Sequence, residues 1–141
     1  MMSRFLSLML CSFALFSPAA PAQDVEHALK QQYEDKVLAL RQSFKNNFQQ
    51  YASDGTVLKG SEEGQWTVYK YVTVKKLELK SHKIELLCSR VAYVYSKQTK
   101  RLEPNRDWDI DVKIEIEADN SFDSLQSTQS VFSKVFSDTK I

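Results

Sequence analysis

Glycine, proline, cysteine and histidine are all scarce in this chain: 141 residues hold 3 Gly, 3 Pro, 2 Cys and 2 His. Three glycines do not build a phosphate-cradling loop, whose backbone must approach the anion at several glycine positions. His27 and His82 stand alone, without a partner at metal-ligand spacing. No Ser or Cys lies in a nucleophile-elbow context. The expectation is a protein that is not an enzyme, with no catalytic residues, no cofactor and no metal. An excess of one charge sign is also missing. With 19 Lys+Arg against 18 Asp+Glu the formal charge is +1, which argues against a nucleic-acid binder.

Long apolar runs are confined to the first residues. Arg4 makes a short basic start, Phe5 to Phe16 is apolar except for Ser7, Cys11 and Ser12, and Ala20-Pro21-Ala22 supplies small residues for cleavage before Gln23. The run is shorter than the ~20 residues a membrane-spanning helix needs. Residues 1–22 therefore read as a signal peptide and 23–141 as a single α+β domain, periplasmic or secreted, with no transmembrane segment after cleavage. An uncleaved anchor is the competing reading. Cleavage removes Cys11 and leaves Cys88 as the one thiol, so no internal disulfide forms. Cys88 follows Ile84 and Leu86 at period two and reads as a small buried hydrophobe; a reactive thiol or intermolecular bridge is the alternative.

What is present is a set of strand patterns between two helices. Asp24 can cap a helix whose Val25, Leu29 and Tyr33 form an apolar stripe. Lys36 to Phe44 reads as a strand with Leu38 and Leu40 on one face and Val37 and Ala39 on the other. Asp54-Gly55 predicts a type I′ hairpin turn pairing Tyr51 with Leu58. Trp66 opens a long β-branched and aromatic stretch. The odd step from Val74 to Leu77 predicts a bulge, and bulges let sheets curl. Ile84 to Tyr95 is apolar on both faces. Lys97 to Asn105 reads as a polar loop, and Trp108, Ile110, Val112, Ile114 and Ile116 as one alternating strand. Ser121 or Asp123 can cap a final helix carrying Phe122, Leu125, Phe132 and Phe136. Together these predict a strongly bent antiparallel sheet, or a partly closed barrel, of about six strands with an N-terminal and a C-terminal helix.

Charge is unevenly placed. Residues 70–101 carry nine Lys/Arg and two Glu, whereas residues 102–123 carry eight acids and two cations. Cross-strand ion pairs explain this if the two stretches lie side by side. If they lie apart, the basic face suits anionic lipid, glycan or a partner protein. Asp107, Asp109 and Asp111 share one face, but they lack the glycine turn and distal Glu of a calcium loop. Trp66, Tyr69, Tyr71, Tyr93 and Tyr95 are candidates to line a cleft, against the alternative that they fill the core or sheet surface.

Several short motifs carry a family likeness. Tyr33, Lys36-Val37-Leu38, Leu40-Arg41, Asp54-Gly55, Gly64, Trp66-Thr67, Val74-Lys75-Lys76-Leu77, Arg90 and Val131-Phe132 to Phe136 resemble a bacterial envelope module. In that family the module follows a signal peptide and precedes a TonB-type energy-transducer C-terminal domain. The resemblance spans about residues 24–136, transfers no catalytic residue and adds Arg90 to the ligand or partner candidates. This sequence stops where the family continues, so the expectation is a free-standing module rather than an energy transducer. The expected function is an exported, non-catalytic binding or interaction module whose partner is an envelope protein or a small molecule. A periplasmic carrier of a hydrophobic or anionic small molecule is the runner-up, and an enzyme of unknown type comes third.

Overall fold

A computed structural model describes residues 22–80, 82–118, 122 and 124–137. The N-terminal helix α1 spans Ala22–Tyr33 and buries the Val25–Leu29 stripe. It begins ahead of Asp24, so that carboxylate lies in the first turn rather than at the cap, where it opposes the positive helix end. Strand β1 is Val37–Leu40, shorter than the expected Lys36–Phe44; Phe44 makes only an isolated bridge to Glu63. β2 (Phe48–Ala52) and β3 (Val57–Lys59) form the hairpin. A single helical turn, α2 (Trp66–Tyr69), precedes β4 (Tyr71–Leu79) and the long β5 (Lys83–Ser96). β6 (Arg101–Asn105), β7 (Asp111–Glu117), α3 (Leu125–Val135) and β8 (Phe136–Ser137) complete the order.

The strands build one curled sheet in the order β3-β2-β7-β5-β4-β1-β8, with β6 added to the far half of β5. The result is a half-barrel of the α+β class with a helix at each end. It differs from the expected sheet in two respects. There are eight strands among the described residues, and the sheet is mixed, because β2 runs parallel to β7 from Phe48 opposite Lys113 to Ala52 opposite Glu117. The segment read as a polar loop supplies one of the extra strands. Leu102 is its lone apolar residue, and Pro104 is tolerated because β6 is an edge.

Local chemistry accounts for the bends. The pairing of β4 with β5 slips between Val74 and Lys76, which places the bulge at Lys75 as the sequence step implied. The hairpin turn is of another kind than expected. The Gly55 N–H donates to Ala52 O, the Asp54 carboxylate accepts from the Thr56 N–H, and only Gly55 takes a positive φ, of 89°. That leaves a three-residue loop with a glycine bulge, so Tyr51 faces Val57 and not Leu58. A side chain at Gly55 would also strike the Lys134 carbonyl, so the tip of this hairpin lies against α3.

Most of the inner face of the curl is hydrocarbon. Leu40, Val72, Val74, Leu77, Ile84, Leu86, Cys88, Val112, Ile114 and Ile116 meet Val25 and Leu29 of α1 and Phe132 and Val135 of α3. Each such side chain contributes about 1.5–3 kcal/mol on burial. Tyr33 of α1 stacks on Phe132 of α3 at 4.3 Å, joining the two helices across the opening. Ser124 caps α3, its hydroxyl accepting from the Ser127 N–H at 3.1 Å; the expected caps Ser121 and Asp123 lie outside the described residues. The serine spacing of three lets the Ser127 and Ser133 hydroxyls donate back to the Ser124 and Ser130 carbonyls. Among the described residues, no helix is long and apolar enough to cross a membrane.

Candidate functional site

The six candidate residues separate into a pair, buried Arg90 with half-buried Tyr69, and an outer stripe. Arg90 and Tyr69 form the pair. Arg90 follows Cys88 in the inward phase of β5 and is 0% exposed. Its guanidinium donates to Tyr69 O at 3.1 Å, Phe44 O at 3.0 Å and Asn46 O at 2.9 Å, and lies 5.0 Å from the Tyr69 ring centre. Gln49 shares the Phe44 and Asn46 carbonyls and accepts from the Tyr51 hydroxyl at 2.6 Å. Burial lowers the Arg90 pKa and raises that of Tyr51, the nearby guanidinium partly offsetting the latter. Arg90 is thus a clamp tying α2 and the β1–β2 connection to β5, with no surface on which to meet a partner. Gln49 and Tyr51 are members of this network that the sequence reading missed. Their spacing of two on one strand, facing inward, is the signal that ties them together.

Gly64 permits the close approach of this region. A Cβ there would overlap the Tyr69 ring, and its N–H donates to Ser43 O at 2.9 Å. The α2 turn and Gly64 border an open cleft of about 550 Å³ lined by Lys45, Glu63, Gln65, Val68 and Tyr69.

Trp66, Tyr71 and Tyr93 form the second group. Tyr71 and Tyr93 lie on the outward phase of β4 and β5, with ring centres 4.4 Å apart, and Trp66 meets Tyr71 edge-on at 6.5 Å. Val37, Ala39 and Val91 support them. Trp66 does not start a strand, and it is no core residue: it is 48% exposed. Lodged in the single turn of α2, its indole lies beside the sheet rather than under it. Trp108, expected within β7, lies before that strand and is half-buried.

Tyr95 stands apart on an arm. Beyond Tyr71, β5 pairs only with β6, from Ala92 opposite Asn105 to Ser96 opposite Arg101. Tyr93 and Tyr95 share a face with their opposed partners Pro104 and Leu102, and this face continues the aromatic stripe outward. Tyr95 is 58% exposed and Leu102 43%.

The rest of the outer face is ionic. Lys75 meets Asp111 at 2.7 Å, Lys83 meets Glu115 at 3.8 Å, and Lys80 and Lys83 both meet Glu85. Two pairs, Lys75–Asp111 and Lys83–Glu115, join the basic β4–β5 hairpin to the acidic β7, so the uneven charge of the sequence is resolved in part by cross-strand pairing. Among the described residues no cluster of His, Cys, Asp and Glu has a metal-binding arrangement, and Asp107 and Asp109 are exposed ahead of β7. Burial pushes the Cys88 thiol up to about 12. The space inside the curl, where a carried molecule would sit, is occupied by the helices; the clefts lined by described residues open at the surface. No family model, curated protein or solved structure matches the chain.

Proposed function

We propose that the chain is a non-catalytic binding module of the bacterial envelope, acting after export in the periplasm or outside the cell. Its working surface is the stripe Trp66–Tyr71–Tyr93–Tyr95. One observation carries this reading: the outer face holds a contacting cluster of Trp66, Tyr71 and Tyr93 that neither α1 nor α3 covers, with 48% exposed Trp66 at one end and 58% exposed Tyr95 farther along the same face of β5. Tyr and Trp give large rigid contact area at low entropic cost, which suits protein recognition. The leader of residues 1–22 and the likeness to the module preceding TonB-type domains favour an envelope setting. Cys88 and Tyr51, whose pKa values burial raises, lie on the inner face rather than in an open cleft, which favours binding over catalysis.

The test is capture from an envelope extract by the intact protein and by Trp66→Ala. A species held reproducibly by the first and lost by the second is the expected result. Equal capture by both, or none by either, overturns the reading.

A further inference from the structure

We propose that the tip of the β5–β6 arm inserts into the interfacial layer of an anionic lipid bilayer. This rests on the binding-module reading and assigns the arm the role of anchor. Three features of the arm bear on its occupant. First, its far end carries exposed apolar side chains on both faces. Tyr95 and Leu102 project from one side, and Val94, opposite Glu103, projects from the other at 51% exposure. A protein partner docked on one face would leave the other in water, whereas a lipid interface surrounds both.

Second, the turn is cationic. Ser96 to Arg101 carries Lys97, Lys100 and Arg101, and the chain closes there with a Lys100 N–H to Ser96 O bond and Lys100 at φ 57°. Arg101 lies 3.9 Å from Glu103, while Lys97 and Lys100 have no ion-pair partner among the described residues. This differs from the β4–β5 base, where Lys75, Lys76, Lys80 and Lys83 are all paired. Unpaired cations around apolar side chains complement an anionic surface, the alkyl stems lying along the apolar layer and the ammonium groups among phosphates.

Third, the backbone limits the depth. The outer edge of β6 has no strand beside it, and unpaired N–H and C=O groups are not tolerated in hydrocarbon. The hydrated headgroup boundary tolerates them, and tyrosine prefers that depth. The arm therefore dips in and does not span. A second copy of the chain is the less suited occupant, since it would cover one face of the arm and leave Val94 or Tyr95 exposed.

The experiment is co-sedimentation of the full chain with phosphatidylcholine vesicles, with and without about a third phosphatidylglycerol. Binding to the anionic vesicles alone, weakened by salt, is expected. Lys97→Gln and Lys100→Gln should each weaken it about fivefold. The paired change Tyr95→Ser, Leu102→Ser should abolish it, while circular dichroism and the urea midpoint stay at the parent values because the arm lies outside the core. Vesicle binding by residues 1–22 is measured with that peptide alone and subtracted, so the loss on changing the tip isolates the arm. Binding that the tip variants retain, binding indifferent to lipid charge, or no binding overturns the proposal. So does a dimer in sedimentation velocity that the tip substitutions dissolve. Lys75→Gln, at an ion-paired lysine of the β4–β5 base, should leave vesicle binding unchanged. Capture by Trp66→Ala tests the partner surface and vesicle binding by the tip variants tests the arm, so the two failures are read separately.

Discussion

The two faces of the half-barrel follow different rules. The inner face is mainly hydrocarbon, interrupted by the Arg90–Gln49–Tyr51 network, and α1 and α3 pack against its apolar part. The outer face is half ion pairs and half aromatic rings, and its aromatic half keeps accessible surface. The inner face accounts for stability and leaves nothing to present, whereas the outer face contributes little to stability and presents much. The molecule keeps its core and its accessible aromatic surface on opposite sides of one layer of backbone.

Substitutions should obey that division. Phe132→Ala removes a core ring and its stack on Tyr33, and is expected to cost about 3–5 kcal/mol in urea unfolding. Arg90→Met leaves the Phe44, Asn46 and Tyr69 carbonyls short of donors and should cost about 2–4 kcal/mol. Arg90→Lys should recover less than half of that, since an ammonium does not span the carbonyls a guanidinium fork reaches. A full rescue by Lys would mean that charge, not geometry, holds the clamp.

Cys88 tests how dry the inner face is. Its folded pKa is raised, so the folded state holds the proton after the unfolded chain has released it. Stability is then intact below the ordinary thiol pKa and falls as pH rises toward about 12, at up to about 1.4 kcal/mol per pH unit. The difference between parent and Cys88→Ala in alkaline unfolding isolates this slope. A thiol reagent that modifies the folded protein near neutral pH would show that water reaches the inner face. At the small end, Trp66→Ala should cost less than about 1 kcal/mol. A loss at Trp66 equal to that at Phe132 would erase the distinction between the faces.

The inner face was largely legible in the sequence because alternation reports it directly. Val112, Ile114 and Ile116 are buried as read, and the step from Val74 to Leu77 located the bulge. The inward position of Arg90 was legible too, since it continues the phase of Ile84, Leu86 and Cys88. Its role was not, because its partners are backbone carbonyls, which every residue possesses. The α2 turn stayed hidden because Trp66-Thr67-Val68-Tyr69 is β-prone, and its helical form depends on tertiary contacts around Gly64 and Arg90. The parallel run of β2 beside β7 leaves no local mark either. Strands that pair across more than half the described chain carry the same alternation whichever way they run.

That distant pairing governs the order of assembly. The β4–β5 hairpin is local and can form early, but β2 gains β7, and β1 gains β8, only after the last stretch of the described chain arrives. A chain emerging N-terminus first exposes the edges of β2 and β5 until Asp111–Glu117 wedges between them like a keystone. During that interval the open edges are templates for any passing strand, so the arrival of β7 closes these two central edges of the nascent chain.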